Sequence, residues 1–341
     1  TKPQVKSTRN STCEIFVIKV GDKNARWTDD WQWDTVTQLT RMGYKNMTEE
    51  MPTSDLNESA INEGPYVIYN PNNDKYYLTL SKGSYQNSSY AALQAIGDSP
   101  MGPFEKLSKA DGGFLLQSND NVTGPGHHSF ITYGGKTYIV YHQQVKKEGN
   151  GDRAICVDEV KWIKNSKGVD IMYVNGPSRS PQAIFANSEY DNIANKATVT
   201  VVNGQEGTEK NLIDGLYGAS TDMDFVNEFS ATKKDCTITL TFNGYKTIRS
   251  IMIYNSKNYE KAFSSVNRIE FDFKLKNGTE GVAYIDNLKF NENYFYTENG
   301  EQKVLPCSAS IAEFEEMYVN EIRIYFSDKI VNVSEIVVLG K

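Results

Sequence analysis

Two stretches of this chain repeat one strand–turn–strand pattern at a fixed spacing. That repeat restricts the fold more than any other feature. Tyr66-Val67-Ile68-Tyr69, a Pro71-Asn72-Asn73-Asp74 turn and Tyr76-Tyr77-Leu78-Thr79-Leu80 read as a hairpin. Phe130-Ile131-Thr132-Tyr133, a Gly134-Gly135 turn and Thr137-Tyr138-Ile139-Val140-Tyr141 read as a second. Aligning Lys75 with Lys136 gives an offset of 61 residues. Each hairpin leads into a further apolar strand, Tyr90 to Ile96 and Ala154 to Trp162. Strand runs recurring at this spacing predict propeller blades of antiparallel strands. Glu14 to Val20 reads as an earlier strand, followed by a polar, Trp-rich connection from Trp27 to Trp33.

After Gly176-Pro177 the pattern changes, and Ser178 to Asn187 reads as a linker. Short alternating strands follow: Ala197 to Val202, Thr237 to Phe242, Ile248 to Tyr254, Arg268 to Leu275, Glu321 to Phe326 and Ile336 to Leu339. Turn residues separate them, which predicts a β-sandwich. Ala309 to Tyr318 is open between a short helix and an irregular loop.

The 21 Tyr and 15 Phe suit a β-rich core, and their faces would also suit stacking on sugar rings. A formal charge of −7 with no basic patch argues against a nucleic acid partner. No apolar run is long enough to predict a membrane span. Cys13, Cys156, Cys236 and Cys307 form no metal-ligand spacing; Cys236 and Cys307 are open between a disulfide and buried thiols. The chain begins with Thr1 rather than Met, which fits a cleaved export signal or one left out.

Glu63-Gly64-Pro65, Lys75-Tyr76-Tyr77-Leu78, Asp98-Ser99-Pro100-Met101-Gly102-Pro103-Phe104, Gly124-Pro125-Gly126-His127 and Tyr141-His142 together resemble glycoside hydrolase family 43, in order and spacing, over roughly residues 10–182. The resemblance implies an all-β chain containing a five-bladed β-propeller that acts on arabinose- or xylose-containing plant glycans. Residues 193–341 resemble a coagulation factor 5/8 type C (discoidin-like) sandwich of jelly-roll, galactose-binding-like form. Asn211-Leu212-Ile213-Asp214-Gly215, Ile248-Arg249-Ser250-Ile251, Val319-Asn320-Glu321-Ile322-Arg323-Ile324 and Val333-Ser334-Glu335-Ile336 carry it. It implies a sugar-binding module. The expected organisation is a propeller over 1–182, a linker over 183–192 and the sandwich over 193–341, secreted, periplasmic or at the cell surface.

Glycoside hydrolysis places two carboxyl groups across the scissile bond, one to protonate the leaving oxygen and one to activate water. By the resemblance Glu63 is the general acid, its pKa raised by burial and a neighbouring carboxylate. His127 is the active-site histidine, expected to touch either the substrate or the water shell of a bound cation, expected to be calcium, and no organic cofactor is expected. Calcium prefers oxygen ligands, so one His would be a minor or water-mediated one. Arg153 and Tyr90 are expected to bind substrate. Tyr85, Trp31 and Trp33 are open between sugar stacking and core packing, while His128 and His142 are expected to be structural. Asp214, with Ser220 and Thr221, loosely matches the sandwich family's calcium loop.

The family needs two further aspartates, the general base and a residue that tunes the acid, both ahead of the strand that Glu14 to Val20 resembles. Asp29, Asp30, Asp34 and Asp55 have no matching context. The N-terminal blades are therefore expected to lie outside this chain, on a polypeptide that completes the propeller. The alternative is a non-catalytic carbohydrate-binding protein built on a degenerate propeller.

Overall fold

The computed structural model describes residues 13–21, 31–58, 61–119, 122–145, 152–180, 189–217, 227–305, 307–327 and 329–341. Trp27, Asp29, Asp30, Ser220, Thr221 and most of the expected linker lie outside them. Apart from one four-residue helix (Thr53–Leu56) and four short 3-10 turns, the described elements are strands. The chain divides into two compact units, Thr1–Ile131 with Thr137–Pro177, and Thr132–Lys136 with Ser178–Lys341.

The first unit is built from antiparallel sheets of consecutive strands. Strands β1 (Phe16–Val20) and β2 (Trp31–Gln38) form a two-stranded ribbon. Strands β3 (Asn62–Asn70), β4 (Lys75–Lys82), β5 (Ala91–Gly97) and β6 (Phe104–Lys106) lie side by side in chain order, with β7 (Phe114–Leu116) also on β5. Strands β8 (Thr123–Tyr133), β9 (Lys136–Gln144), β10 (Arg153–Lys164) and β11 (Asp170–Val174) do the same. Both hairpins of the repeat are therefore present. Of the Trp-rich connection, the part within the described residues is strand: Trp31 to Gln38 pairs with β1, with a register shift between Val17 and Lys19.

Successive residues of β4 feed two different cores. Leu78 and Leu80 pack with Ile15, Leu39, Leu93 and Phe104. Tyr77 packs with Leu116, Ile139, Tyr141 and Met172. A strand apolar on both faces must lie between two layers, so the β3–β6 sheet is covered on each side. Polar stitches fix the layers. The fully buried Gln94 side chain in β5 donates to Met172 O (2.9 Å) and accepts from Met172 N (3.1 Å) in β11. Tyr77 Oη donates to Asp170 O at 2.6 Å.

The second unit contains β12 (Asp191–Asn192), β13 (Ala197–Val202), β14 (Phe229–Ser230), β15 (Cys236–Asn255), β16 (Ser265–Lys274), β17 (Glu280–Lys289), β18 (Phe295–Glu298), β19 (Glu301–Val304), β20 (Ala309–Phe326) and β21 (Asn332–Gly340). Eight of these share one hydrogen-bonded sheet. Long β15 and β20 run through it, and their register shifts between Thr241 and Lys246. Before the shift, β15 pairs with β13; after it, with β21. Ile238, Leu240 and Phe271 from one half and Ile251, Ile253 and Val338 from the other share a single core. The sheet therefore folds over on itself into two facing layers, by strands that switch layer at a bend. Two strands expected from the sequence, Thr237 to Phe242 and Ile248 to Tyr254, are thus halves of β15, and Glu321 to Phe326 is the second half of β20. Ala309 to Tyr318 is neither helix nor loop: it pairs with Ile248 to Tyr254 as the first half of β20. All four cysteines are thiols, and no disulfide joins Cys236 to Cys307.

Candidate active site

The site lies where β3 and β8 begin, and both beginnings depart from regular strand. Glu63 pairs with Ser81 of β4, and the register then shifts before Tyr66. Gly64 at φ 57° supplies the left-handed step of this bulge, and Pro65 has no N–H to contribute to the ladder. On β8, Gly124 also has φ 57°, and a Cβ there would meet Asn87 O at 2.6 Å. His127 takes φ 49°, an unusual conformation for a residue with a side chain. Its N–H donates to Ser81 Oγ at 2.8 Å, tying β8 to the end of β4.

Tyr90, immediately before β5, joins these pieces. Its hydroxyl donates to Glu63 Oε1 at 2.6 Å and lies 3.4 Å from His127 Nδ1. His127 Nδ1 is 3.9 Å from Glu63 Oε1. The Glu63 side chain is 33% exposed and that of His127 58%, so both reach solvent. Tyr90 itself is fully buried. One face of its ring stacks on His142 (centroids 5.3 Å apart, planes at 16°), and a Cβ on Gly126 would lie 2.6 Å from its Cδ1. Tyr90, expected to contact substrate, is thus fully buried, with its hydroxyl among Glu63, Ser81 and His127.

Burial, and then the Glu63 carboxylate, push the Tyr90 hydroxyl well above its ordinary pKa, so it stays a donor. Burial, and then the Arg153 and His127 charges, push His142 down to about 4 against an opposing pull from Glu63. Burial, with His127 beside it, also pushes His128 down to about 4; its Nε2 lies 2.7 Å from Thr79 Oγ1.

Arg153 opens β10 opposite Gln144. Its guanidinium carbon lies 5.2 Å from the Tyr85 ring centroid, an exposed cation–π pair. Its charge acts on both Tyr90 and His142. Glu63, Tyr90, His127 and Arg153 are therefore brought into one neighbourhood. Trp31 and Trp33 pack on each other on β2 (5.2 Å), and Trp33 is 68% exposed. The Tyr90–Glu63 bond, the Ser81 tie and the fit of Gly126 under Tyr90 were not legible beforehand. Gly-Pro-Gly signals a close approach but not which ring makes it.

A calcium ion takes about six to eight oxygen ligands. Here the carboxylate beside His127 already accepts the Tyr90 hydroxyl. Among the described residues, no three His, Cys, Asp or Glu side chains gather as a ligand set. These donors alone do not fit a protein-held calcium, and no chemical step below passes through one.

Comparison with known proteins adds the following. The extracellular exo-alpha-(1->5)-L-arabinofuranosidase ArbA of Cellvibrio japonicus (strain Ueda107) is 25% identical over 136 residues, which cover 38% of this chain and 37% of that protein. The chain thus spans well under half the length of this curated relative. The crystal structure of a thermostable family-43 glycoside hydrolase shows 32% identity over 37% of this chain and 39% of its own, with a TM-score of 0.32. The CBM32-1 and CBM32-2 domains of Clostridium perfringens ZmpB show 11% identity over 45% of this chain and 36% of their own, with a TM-score of 0.31. Residues 33–167, which include Glu63, Tyr90, His127 and Arg153, match the family model Glycosyl hydrolases family 43.

Proposed function

We propose that the first unit carries the acid half of a glycoside hydrolase site and that Glu63 is its proton donor. The observation that carries this reading is the state of one carboxyl group. Glu63 is anchored through Oε1 by a buried hydroxyl while its side chain remains one-third exposed beside His127. A group held on one side and open on the other can deliver a proton to a bound leaving group. The family match over residues 33–167 supports the same reading.

In this proposal the reaction inverts the anomeric carbon. Glu63 gives its proton to the glycosidic oxygen as the carbon–oxygen bond breaks. Water, deprotonated by a second carboxylate about 6.5–9.5 Å away, adds from the opposite face. We assign that base to an aspartate outside this chain, on a polypeptide that completes a five-bladed propeller of which the β3–β7 and β8–β11 sheets are blades. Arg153, on its Tyr85 support, offers a planar set of donors to substrate hydroxyls. His127 would face the substrate or the water shell of a cation. The substrates proposed are arabinose- or xylose-containing plant polysaccharides or oligosaccharides, met outside the cell, with the second unit as a sugar-binding module.

Glu63→Gln tests the assignment. Turnover of substrates with poor leaving groups should fall by about two to four orders of magnitude, and unchanged turnover would falsify it. A second reading, a sugar-binding protein without turnover, has its own observation. The second unit has an open cleft of about 1000 Å³ lined in part by Phe273, Leu275, Asn277, Glu316 and Tyr318. Tyr318 is 48% exposed and stacks on Tyr245 at 5.0 Å. Aromatic faces beside amide and carboxylate groups suit a sugar. Glycan affinity without turnover, indifferent to Glu63→Gln, would favour that reading.

A further inference from the structure

We propose that Tyr90 is a positioning residue for Glu63: its hydroxyl holds one carboxyl oxygen in place, so that the proton is presented in a fixed direction. The inference rests on the reading of Glu63 as proton donor. It departs from any role for Tyr90 in touching substrate.

The geometry carries it in three ways. The bond is short, 2.6 Å, and runs from a fully buried side chain to a partly exposed one. The buried phenol is therefore the fixed end of the bond, and the partly exposed carboxyl is the end it orients. The ring that bears the hydroxyl is held by stacking on His142 at 5.3 Å and by the β8 backbone at Gly126, where there is no space for a Cβ. Gly126 and Tyr90 thus belong to one device: the missing side chain of the first makes the seat of the second. Finally, the groups around this bond come from five strands of the unit and fix the hydroxyl's place. They are Glu63 on β3, Ser81 on β4, His127 on β8, His142 on β9 and Arg153 on β10. The phenol donates to Oε1 of the charged carboxyl and can keep that bond when the working acid carries its proton on Oε2, and an acid that must point at a leaving oxygen gains from losing its alternative rotamers.

Tyr90→Phe removes one oxygen and keeps the ring. Turnover of substrates with poor leaving groups should fall about tenfold to hundredfold with KM within about twofold. Activated aryl glycosides, which need little protonation, should be nearly unaffected. An equal fall on both substrate classes would overturn the proposal, as would no fall on either.

Side-chain carbon relaxation of Glu63 in the full chain gives a readout independent of turnover, its signals identified by their loss in Glu63→Gln. Glu63 should be ordered in the parent and lose order in Tyr90→Phe; unchanged order in the folded variant sinks the proposal. Should Tyr90→Phe fail to fold, Glu63→Gln serves in its place: the Cζ resonance of one buried tyrosine must shift, and no shift refutes the bond. Failure of the acid reading would show only as retained turnover in Glu63→Gln, so the two can fail separately.

Discussion

Gly64 has a φ of 57°, and a Cβ there would sit 3.5 Å from His127 Nδ1, an ordinary contact. Space is available at Gly64, and the backbone conformation is what excludes a side chain. Gly64→Ala should cost about 1–2 kcal/mol for the left-handed step alone. Gly126 is the opposite case: a Cβ would meet Tyr90 Cδ1 at 2.6 Å and Ser81 Oγ at 3.2 Å. Gly126→Ala must move a ring that is fully buried, at about 1–3 kcal/mol. It should also pull the Tyr90 hydroxyl off Glu63, which Gly64→Ala leaves in place. Urea midpoints of the two variants measure the costs, and the Tyr90 Cζ resonance reports the bond. A Gly126→Ala protein with the parent's midpoint and the parent's resonance would mean that the ring has room to yield.

Between β16 and β20 a single guanidinium holds three carboxylates. Arg323 bonds Asp272 through Nη2 (2.6 Å) and Nη1 (2.9 Å), Glu321 through Nη1 (2.5 Å) and Glu270 through Nε (3.1 Å). Glu270 also accepts the Tyr325 hydroxyl at 2.9 Å. Against the opposing effect of burial, the Tyr325 bond, one from Arg268 Nε to Glu270 Oε1 (2.8 Å) and the Arg323 bond hold the Glu270 carboxyl below its ordinary pKa. Removing the cation leaves like charges on neighbouring strands. Because the group is partly exposed, Arg323→Ala should cost about 1–3 kcal/mol, less than a fully buried pair. Arg323→Lys should recover only part of it, since one ammonium cannot reproduce the bidentate fork to Asp272. Equal urea midpoints for Arg323→Ala and its parent would show that the strands hold without it. None of this network was legible in the sequence, because its partners in β16 lie 51 and 53 residues from Arg323 and only the ladder aligns them. The repeat hairpins were legible because alternation and turn residues act locally: Asn70 to Lys75 and Tyr133 to Lys136 close their own strands. Ala309 to Tyr318 was not. Ile311, Phe314, Met317 and Tyr318 sit at helical spacing and three glutamates interrupt them, yet pairing with β15 decides the matter. Similarly, Glu63 and His127 could be picked out through motifs, whereas the Tyr90–Glu63 bond spans 27 residues with no pattern between them.

All three histidines and all four tryptophans of the chain fall in the first unit, so its acid response can be both caused and observed there alone. His128 is buried and held neutral, with a pKa near 4 against about 6.5 in an unfolded chain. A depressed histidine contributes stability that is fully present above the unfolded value. That contribution shrinks as pH falls toward the folded value, because the unfolded chain takes up the proton first. Between pH 7 and pH 5 His128 alone should cost the first unit about 2 kcal/mol, a drop of about 4–8 °C in Tm. His142 adds in the same direction, since burial, Arg153 and His127 also depress it. Carboxylates held low, such as Glu270 in the second unit, begin to matter only below their unfolded values; Asp214 there, pushed up to about 6 by burial, takes up its proton within this window and so acts with the opposite sign, stabilising the second unit as pH falls. The tryptophan-fluorescence melt should therefore move down from pH 7 to pH 5 while the melt of the second unit, followed by far-UV dichroism, does not move down. His128→Gln should reduce the shift. If both melts move together, the two units unfold as one cooperative body. If the fluorescence melt does not move and His128→Gln changes nothing, His128 is not held neutral in the folded unit.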